Sequence, residues 1–372
     1  MPQAALRERL ASLGGPTRRA PRPPVSRGIP SGFEAVDTPH GTAWRWADME
    51  PAGRVPGTPP DVPHAYLDTE TTGLNGGTGT QVFAAAVCLP CPAGLEVTQL
   101  FCPEPSAEPA FLFLLQRELG RATQLATYNG ACFDLPLLRT RWIMARMTGD
   151  FAHPEHIDLL TLTRALFRQR LESCTLRTVE ERLLGFERED DLPGSMVPQA
   201  YFDYLRRGWS PLLEPALAHN RQDVRSLHYL HARLLRRSAG GDHDMDGGDW
   251  LALGRHLFRD GRRADGWRAL REAAGLADGI PSTLAALLLA RGLARRRRYQ
   301  AADRLLGRIQ QAVPGQPQLT IARAKLLEWR LGRPDAAHEL VVAELRRLPA
   351  GSPHRYDLER RLARLTRRVS RA

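Results

Sequence analysis

The run His64-Ala65-Tyr66-Leu67, followed at once by Asp68-Thr69-Glu70-Thr71-Thr72-Gly73, restricts the fold more than any other part of the chain. A short apolar stretch ending in small polar residues reads as a buried strand. Side chains at i and i+2 of a strand share a face, so Asp68 and Glu70 present two carboxylates side by side. Adjacent buried anions repel and lose hydration, which is unfavourable unless a cation neutralises them. Hard divalent ions such as Mg²⁺ and Mn²⁺ take oxygen ligands of this kind. The stretch therefore predicts a buried strand that ends on half of a carboxylate metal site.

Two later segments supply further acids. Asp134 closes Tyr128-Asn129-Gly130-Ala131-Cys132-Phe133-Asp134, after the strand-like Gln124-Leu125-Ala126-Thr127. Asn-Gly marks a turn, and the residues that follow have helical apolar spacing, so Asp134 is expected at a helix N-terminus beside a strand end. Asp223 closes His219-Asn220-Arg221-Gln222-Asp223 in a helix expected over 212–235. His219 lies four residues earlier on the same helical face, within reach of a metal-bound water. Plainer readings exist: Asp68 and Glu70 as a solvated strand end, Asp134 as a first-turn helix acid, and His219 as a helix-surface histidine.

Asp-x-Glu, then Asn-x-x-x-Phe-Asp, then His-Asn-x-x-Asp resembles, in this order, the three motifs of the DEDD superfamily of 3′–5′ exonucleases, which share the ribonuclease H-like fold. Gly77-Thr78-Gly79-Thr80 and Leu192-Pro193-Gly194-Ser195 resemble the bacterial YprB-type family within it, and the resemblance covers about residues 30–237. It implies two Mg²⁺ or Mn²⁺ ions held by Asp68, Glu70, Asp134 and Asp223, and in-line displacement at phosphorus. His219 would be the general base. Here the histidine stands at the spacing that the family's tyrosine branch uses, and the adjacent Asn220 offers another polar contact. Thr71, Leu74, Asn129, Phe133 and Asn220 are the implied substrate contacts. Asp158, in His156-Ile157-Asp158, is read as a supporting acid and not as a ligand.

Composition sets the outer limits. A chain of 372 residues accommodates two domains. No apolar run is long enough to span a bilayer, and five cysteines without a regular framework fit a reduced cytoplasm. Cys88, Cys91 and Cys102 lack a clear fourth zinc ligand. Residues 250–372 hold 26 basic and 11 acidic side chains, a net of +15, whereas the preceding part is mildly acidic. Lys325 is the only lysine, so the identity of a single arginine says little, but the regional excess attracts phosphate backbones.

The expected organisation is an N-terminal basic, Pro-rich arm with a hairpin (1–61), a ribonuclease H-like exonuclease domain (62–237), a Gly/Asp linker (238–249) and an all-α TPR-like helical repeat domain (250–372). The arm includes a helix over 4–13 and a hairpin over 32–46 that adds to the main sheet. The exonuclease domain is expected to be α/β, a mixed five-stranded sheet flanked by helices. In the repeat domain, Gly266, Ala301 and Ala336 are spaced by 35 residues, as are Leu270, Leu305 and Leu340. The functional expectation is a metal-dependent 3′–5′ exonuclease acting on DNA or RNA, with a protein partner on the helical repeats and no membrane. The rival is a nucleic-acid- or protein-binding scaffold with an idle nuclease site.

Overall fold

A computed structural model describes residues 27–51, 64–73, 77–147, 155–188 and 192–370. The expected helix over 4–13 and Leu74 fall outside these residues. One mixed sheet organises the first half of the chain. Its strands are β1 (Glu34–Thr38), β2 (Gly41–Pro51), β3 (His64–Thr71), β4 (Val82–Cys91), β5 (Gly94–Phe101), β6 (Gln124–Thr127) and β7 (Glu155–Asp158). Their order is β1-β2-β5-β4-β3-β6-β7, with β3-β6 and β6-β7 parallel and the remaining pairs antiparallel.

The sheet has seven strands where the nuclease domain was expected to have five. The N-terminal hairpin accounts for the difference. β2 runs alongside β5 from Trp44↔Phe101 to Pro51↔Gly94, covering an edge that would otherwise carry unpaired backbone groups. β4 reads Val-Phe-Ala-Ala-Ala-Val-Cys-Leu, with every one of these residues buried, as a central strand covered on both faces requires.

Alternation along β3 divides the core. Ala65 and Leu67 face helices α1 (Glu108–Leu119) and α2 (Asp134–Met144), where Phe111, Leu115, Leu138 and Trp142 close one layer. Tyr66 faces the other layer. There α3 (Leu159–Phe167), the short α4 (Leu176–Val179), α5 (Val197–Arg207) and the long α6 (Leu213–Ser238) pack on the sheet through Leu166, Val224, Leu227 and Leu230. α4 continues as a single π turn, Glu180–Leu184.

Beyond α6 the chain is a region of paired helices: α7 (Gly247–Arg259), α8 (Arg263–Gly275), α9 (Gly279–Arg295), α10 (Tyr299–Ala312), α11 (Pro317–Trp329), α12 (Pro334–Arg347) and α13 (Arg355–Val369). The 35-residue spacing puts Gly266, Ala301 and Ala336 into α8, α10 and α12 at matching places. Close approach explains the glycines. A Cβ on Gly254 would lie 2.9 Å from Leu270, and one on Gly266 would lie 3.1 Å from the Phe258 ring. Leu253 and Leu257 of α7 join the cluster that contains Tyr66 and Val224, so one apolar core runs from the sheet into the first helical pair.

Candidate active site

The pleat of β3 sets the site. Asp68 and Glu70 share the Tyr66 face, beneath α6. Pairing with β4 slips between Glu70 and Thr71, and such an irregularity re-aims the end of a strand. Asn220 of α6 is fully buried, and its amide Nδ2 donates to Asp68 Oδ2 at 2.7 Å. Asn220 Oδ1 accepts from Gln99 Nε2 at 2.8 Å, and Gln99 Oε1 accepts from Arg221 at 3.0 Å. The expected substrate contact at Asn220 is thus a side chain enclosed in the core, with its carboxamide turned to Asp68.

Asp134 arrives from the opposite face. It begins α2, is 6 % exposed, and accepts a hydrogen bond from Thr69 Oγ1. The loop before it is braced by Asp158, whose carboxylate accepts from the Asn129 backbone N–H (3.0 Å) and the Ala131 N–H (3.4 Å) while capping α3 at Leu160. Asn129 takes the left-handed conformation, with φ 67°. At Gly130 any Cβ would meet Thr127 Oγ1 at 2.3 Å, so the turn that delivers Asp134 requires glycine. Phe133 is half-buried just ahead of the helix, and Thr71 donates to the Gly73 carbonyl at 2.8 Å.

Asp223 completes the group from α6. Burial raises the Asp68 carboxyl well above the usual carboxylate range, reinforced by the charges of Asp223, Asp134 and Glu70. Burial, then Asp223 and Asp134, do the same to Glu70. Asp134 is pushed up to about 6 by burial, opposed by the Thr69 hydrogen bond. Asp223 is raised by burial, against the nearby His219 and Arg188. Four acids separated by up to 155 positions in the chain therefore lie within one another's fields.

Arg188 escaped the sequence reading. Its guanidinium makes two 2.6 Å bonds to Glu180, which is 1 % exposed, and also bonds Asp223. Ser226 donates to the same Glu180. Arg188 Nη1 donates to His219 Nδ1 at 2.8 Å, and His219 Nε2 stands 3.5 Å from Asp223. No local motif signals this arrangement, because Glu180 gains its meaning only when the π turn folds against α6.

Among the described residues, no group of three or more His, Cys, Asp or Glu side chains is placed to hold a metal ion as the side chains stand. The donor chemistry nevertheless fits one. Carboxylates whose ionised forms are disfavoured by burial and mutual repulsion are what a divalent cation relieves. In this structure one guanidinium neutralises part of that charge, at Asp223.

Residues 65–235 match the RNase_H_2 family model of the RNase_H superfamily. The uncharacterized protein YprB of Bacillus subtilis (strain 168) is 34% identical over 179 residues, which cover 48% of this chain and 43% of that protein. The chain thus spans less than half the length of that relative. The family B DNA polymerase of the hyperthermophilic archaeon Pyrobaculum calidifontis overlaps 87% of this chain and 50% of its own, with 16% identity and a TM-score of 0.38. Among the described residues no helix is long and apolar enough to cross a membrane. With the seven-stranded mixed sheet and its flanking helices, the family match makes residues 65–235 a domain of the RNase H superfamily.

Proposed function

We propose that the chain is a metal-dependent nuclease that removes nucleotides from the 3′ end of DNA or RNA. One observation carries the reading: Asp134 and Asp223 lie close enough to Asp68 and Glu70 to add to the burial that raises both of those carboxyls. Their order along the chain, and the RNase H superfamily domain that holds them, support it. Mg²⁺ or Mn²⁺ would be held by these four carboxylates. The bound cations would supply charge neutralisation at the scissile phosphate.

The chain's own residues do the rest. Asn220 keeps Asp68 aimed into the pocket, and Asp158 holds the loop that delivers Asp134. His219 takes the proton from the attacking water, which requires Nδ1 to exchange its Arg188 donor for that water. Thr71, Asn129 and Phe133 would border the path of the terminal nucleotide, and Leu74, outside the described residues, is the further contact the family resemblance implies. The helical region after α6 is read as a TPR-like repeat that recruits a partner.

The rival reading, a scaffold with an idle nuclease site, draws on Arg188, whose positive charge already occupies Asp223. A 5′-labelled oligonucleotide assay separates the two. The nuclease reading expects a ladder shortening from the 3′ end in Mn²⁺, with Asp68→Asn slower by at least about 100-fold, more than outer-shell substitutions cost. An unchanged substrate, or equal rates in the variant, removes the proposal.

A further inference from the structure

The helical region carries a groove with two adjoining depressions of about 610 Å³ each, sharing Arg263, Trp267, Gly292 and Arg296. Its floor is apolar and aromatic. Phe258 and Trp267 meet edge to face, with centroids 4.9 Å apart at 82°, beside Leu270 and Leu288. Its rim is cationic. Arg255, Arg259, Arg263, Arg291, Arg295 and Arg296 line the first depression, all exposed, and three more exposed arginines continue along the second. Among the described residues no acidic side chain lines either depression.

These arginines differ from others in the same region. Arg262, Arg268, Arg323, Arg361 and Arg364 are all engaged with acids. The rim arginines make no ion pair among the described residues, so their charge is left facing the groove. The floor is also specifically accommodated. A Cβ on Gly292 would lie 1.9 Å from the outer edge of the Trp267 indole, so glycine in α9 is what leaves room for the indole beside that helix.

We propose that this groove binds a single strand of nucleic acid, with phosphates on the arginine rim and a base on Trp267. Unpaired guanidinium groups along a concave wall follow a phosphate backbone, and an aromatic floor offers a stacking surface to any base. A duplex keeps its bases stacked inward and reaches only the rim. An acidic peptide satisfies the rim but leaves the indole without a stacking partner. The inference rests on the nuclease reading for its substrate class, and it adds a second contact for that substrate away from the carboxylates.

The test is fluorescence anisotropy of labelled oligonucleotides of about 16 nucleotides, the upper span of one single-strand binding unit. The full-length chain is used in chelator, so binding is read without cleavage. The double variant Arg263→Glu/Arg295→Glu should weaken binding at least about tenfold and flatten the slope of log affinity against log salt by about 1.4, from about 0.7 per phosphate contact. Both side chains are exposed and unpaired, so the fold is retained. Trp267→Leu should weaken single-strand binding by about tenfold and leave the weaker duplex binding unchanged. Asp68→Asn should bind normally, so a failed nuclease reading and a failed groove show separately. Unaltered affinity in the charge-reversal variant overturns the proposal. So does a duplex bound as tightly as the single strand, or a polyglutamate peptide that competes as well as the oligonucleotide.

Discussion

Asp68 is exposed to three other carboxylates and tied by one hydrogen bond from Asn220, whereas Asp223 is tied to a guanidinium. This asymmetry makes Arg188 the residue on which local stability turns. Glu180 is 1 % exposed, and Arg188 is its buried counter-charge. Arg188→Met leaves that carboxylate uncompensated, and breaking a buried pair from one side costs about 3–5 kcal/mol. Chemical denaturation should show that loss, with much of it recovered in Arg188→Met/Glu180→Gln; an Arg188→Met variant as stable as the parent contradicts the account. The acids give a prediction of opposite sign. Asp134, at about 6 in the fold, gains a proton on folding between its unfolded value and 6, so its contribution falls as pH rises through that window and stays low above it. In chelator near pH 7.5, Asp134→Asn should therefore melt at least about 2 °C higher than the parent, with no gain near pH 4, and saturating Mn²⁺ should reverse the order. A lower melting temperature for the variant in chelator refutes this. Asp68, Glu70 and Asp134 stand out in the sequence because they lie at a strand end or a helix start, and Asp223 because His219 precedes it by four residues on α6. Arg188, Glu180 and Gln99 do not, since each matters only through a partner at least eight positions away.

At the level of elements, β3 and α6 carry three of the four acids, Asp68, Glu70 and Asp223, and the lower half of the same pair is unusual. His228 packs edge-on to Tyr66, buried, with neither ring nitrogen hydrogen-bonded among the described residues. His231 accepts or donates to the Tyr66 hydroxyl at 2.9 Å. Burial lowers both imidazoles to about 4. A histidine kept neutral in the fold contributes stability that is present above its unfolded pKa and lost as pH falls through about 6.5 to 4. For His228 the span corresponds to about 3 kcal/mol. His228→Leu should flatten that acid-side loss in pH-dependent denaturation, and an unaltered acid limb counts against it. Element positions were largely readable. The strands expected near 64–69, 80–89, 95–102, 123–128 and 156–159 lie within about three residues of β3 to β7. Apolar runs and Gly or Asn punctuation sufficed there. The hairpin over 32–46 is likewise readable as an addition to the main sheet, and its pairing along β5 brings the five strands to seven.

Across the whole molecule, the junction between the sheet and the helical region is built from charge. Arg237, 1 % exposed, meets Asp242 and Asp249 and stacks 4.7 Å from the Phe167 ring, while Arg170 bonds Asp249 and Asp244. Asp249 also completes the capping box that starts α7. Composition marks 238–249 as a Gly/Asp tract, but not that two of its acids are buried against arginines from α6 and the end of α3. Asp249→Asn keeps the cap geometry and removes the charge beneath Arg237, so melting should drop by several degrees, the equivalent of about 3 kcal/mol for a buried pair broken on one side. An unchanged melting temperature would place the docking energy in Leu253 and Leu257 alone.

Divalent cations meeting the four acids are the centre of the proposed chemistry, and counting bound Mn²⁺ by electron paramagnetic resonance at neutral pH tests that most directly. Two ions per chain are expected, competed by Mg²⁺, with binding lost in Asp68→Asn. Saturable binding that survives in Asp68→Asn, or no binding by the parent chain, would contradict it.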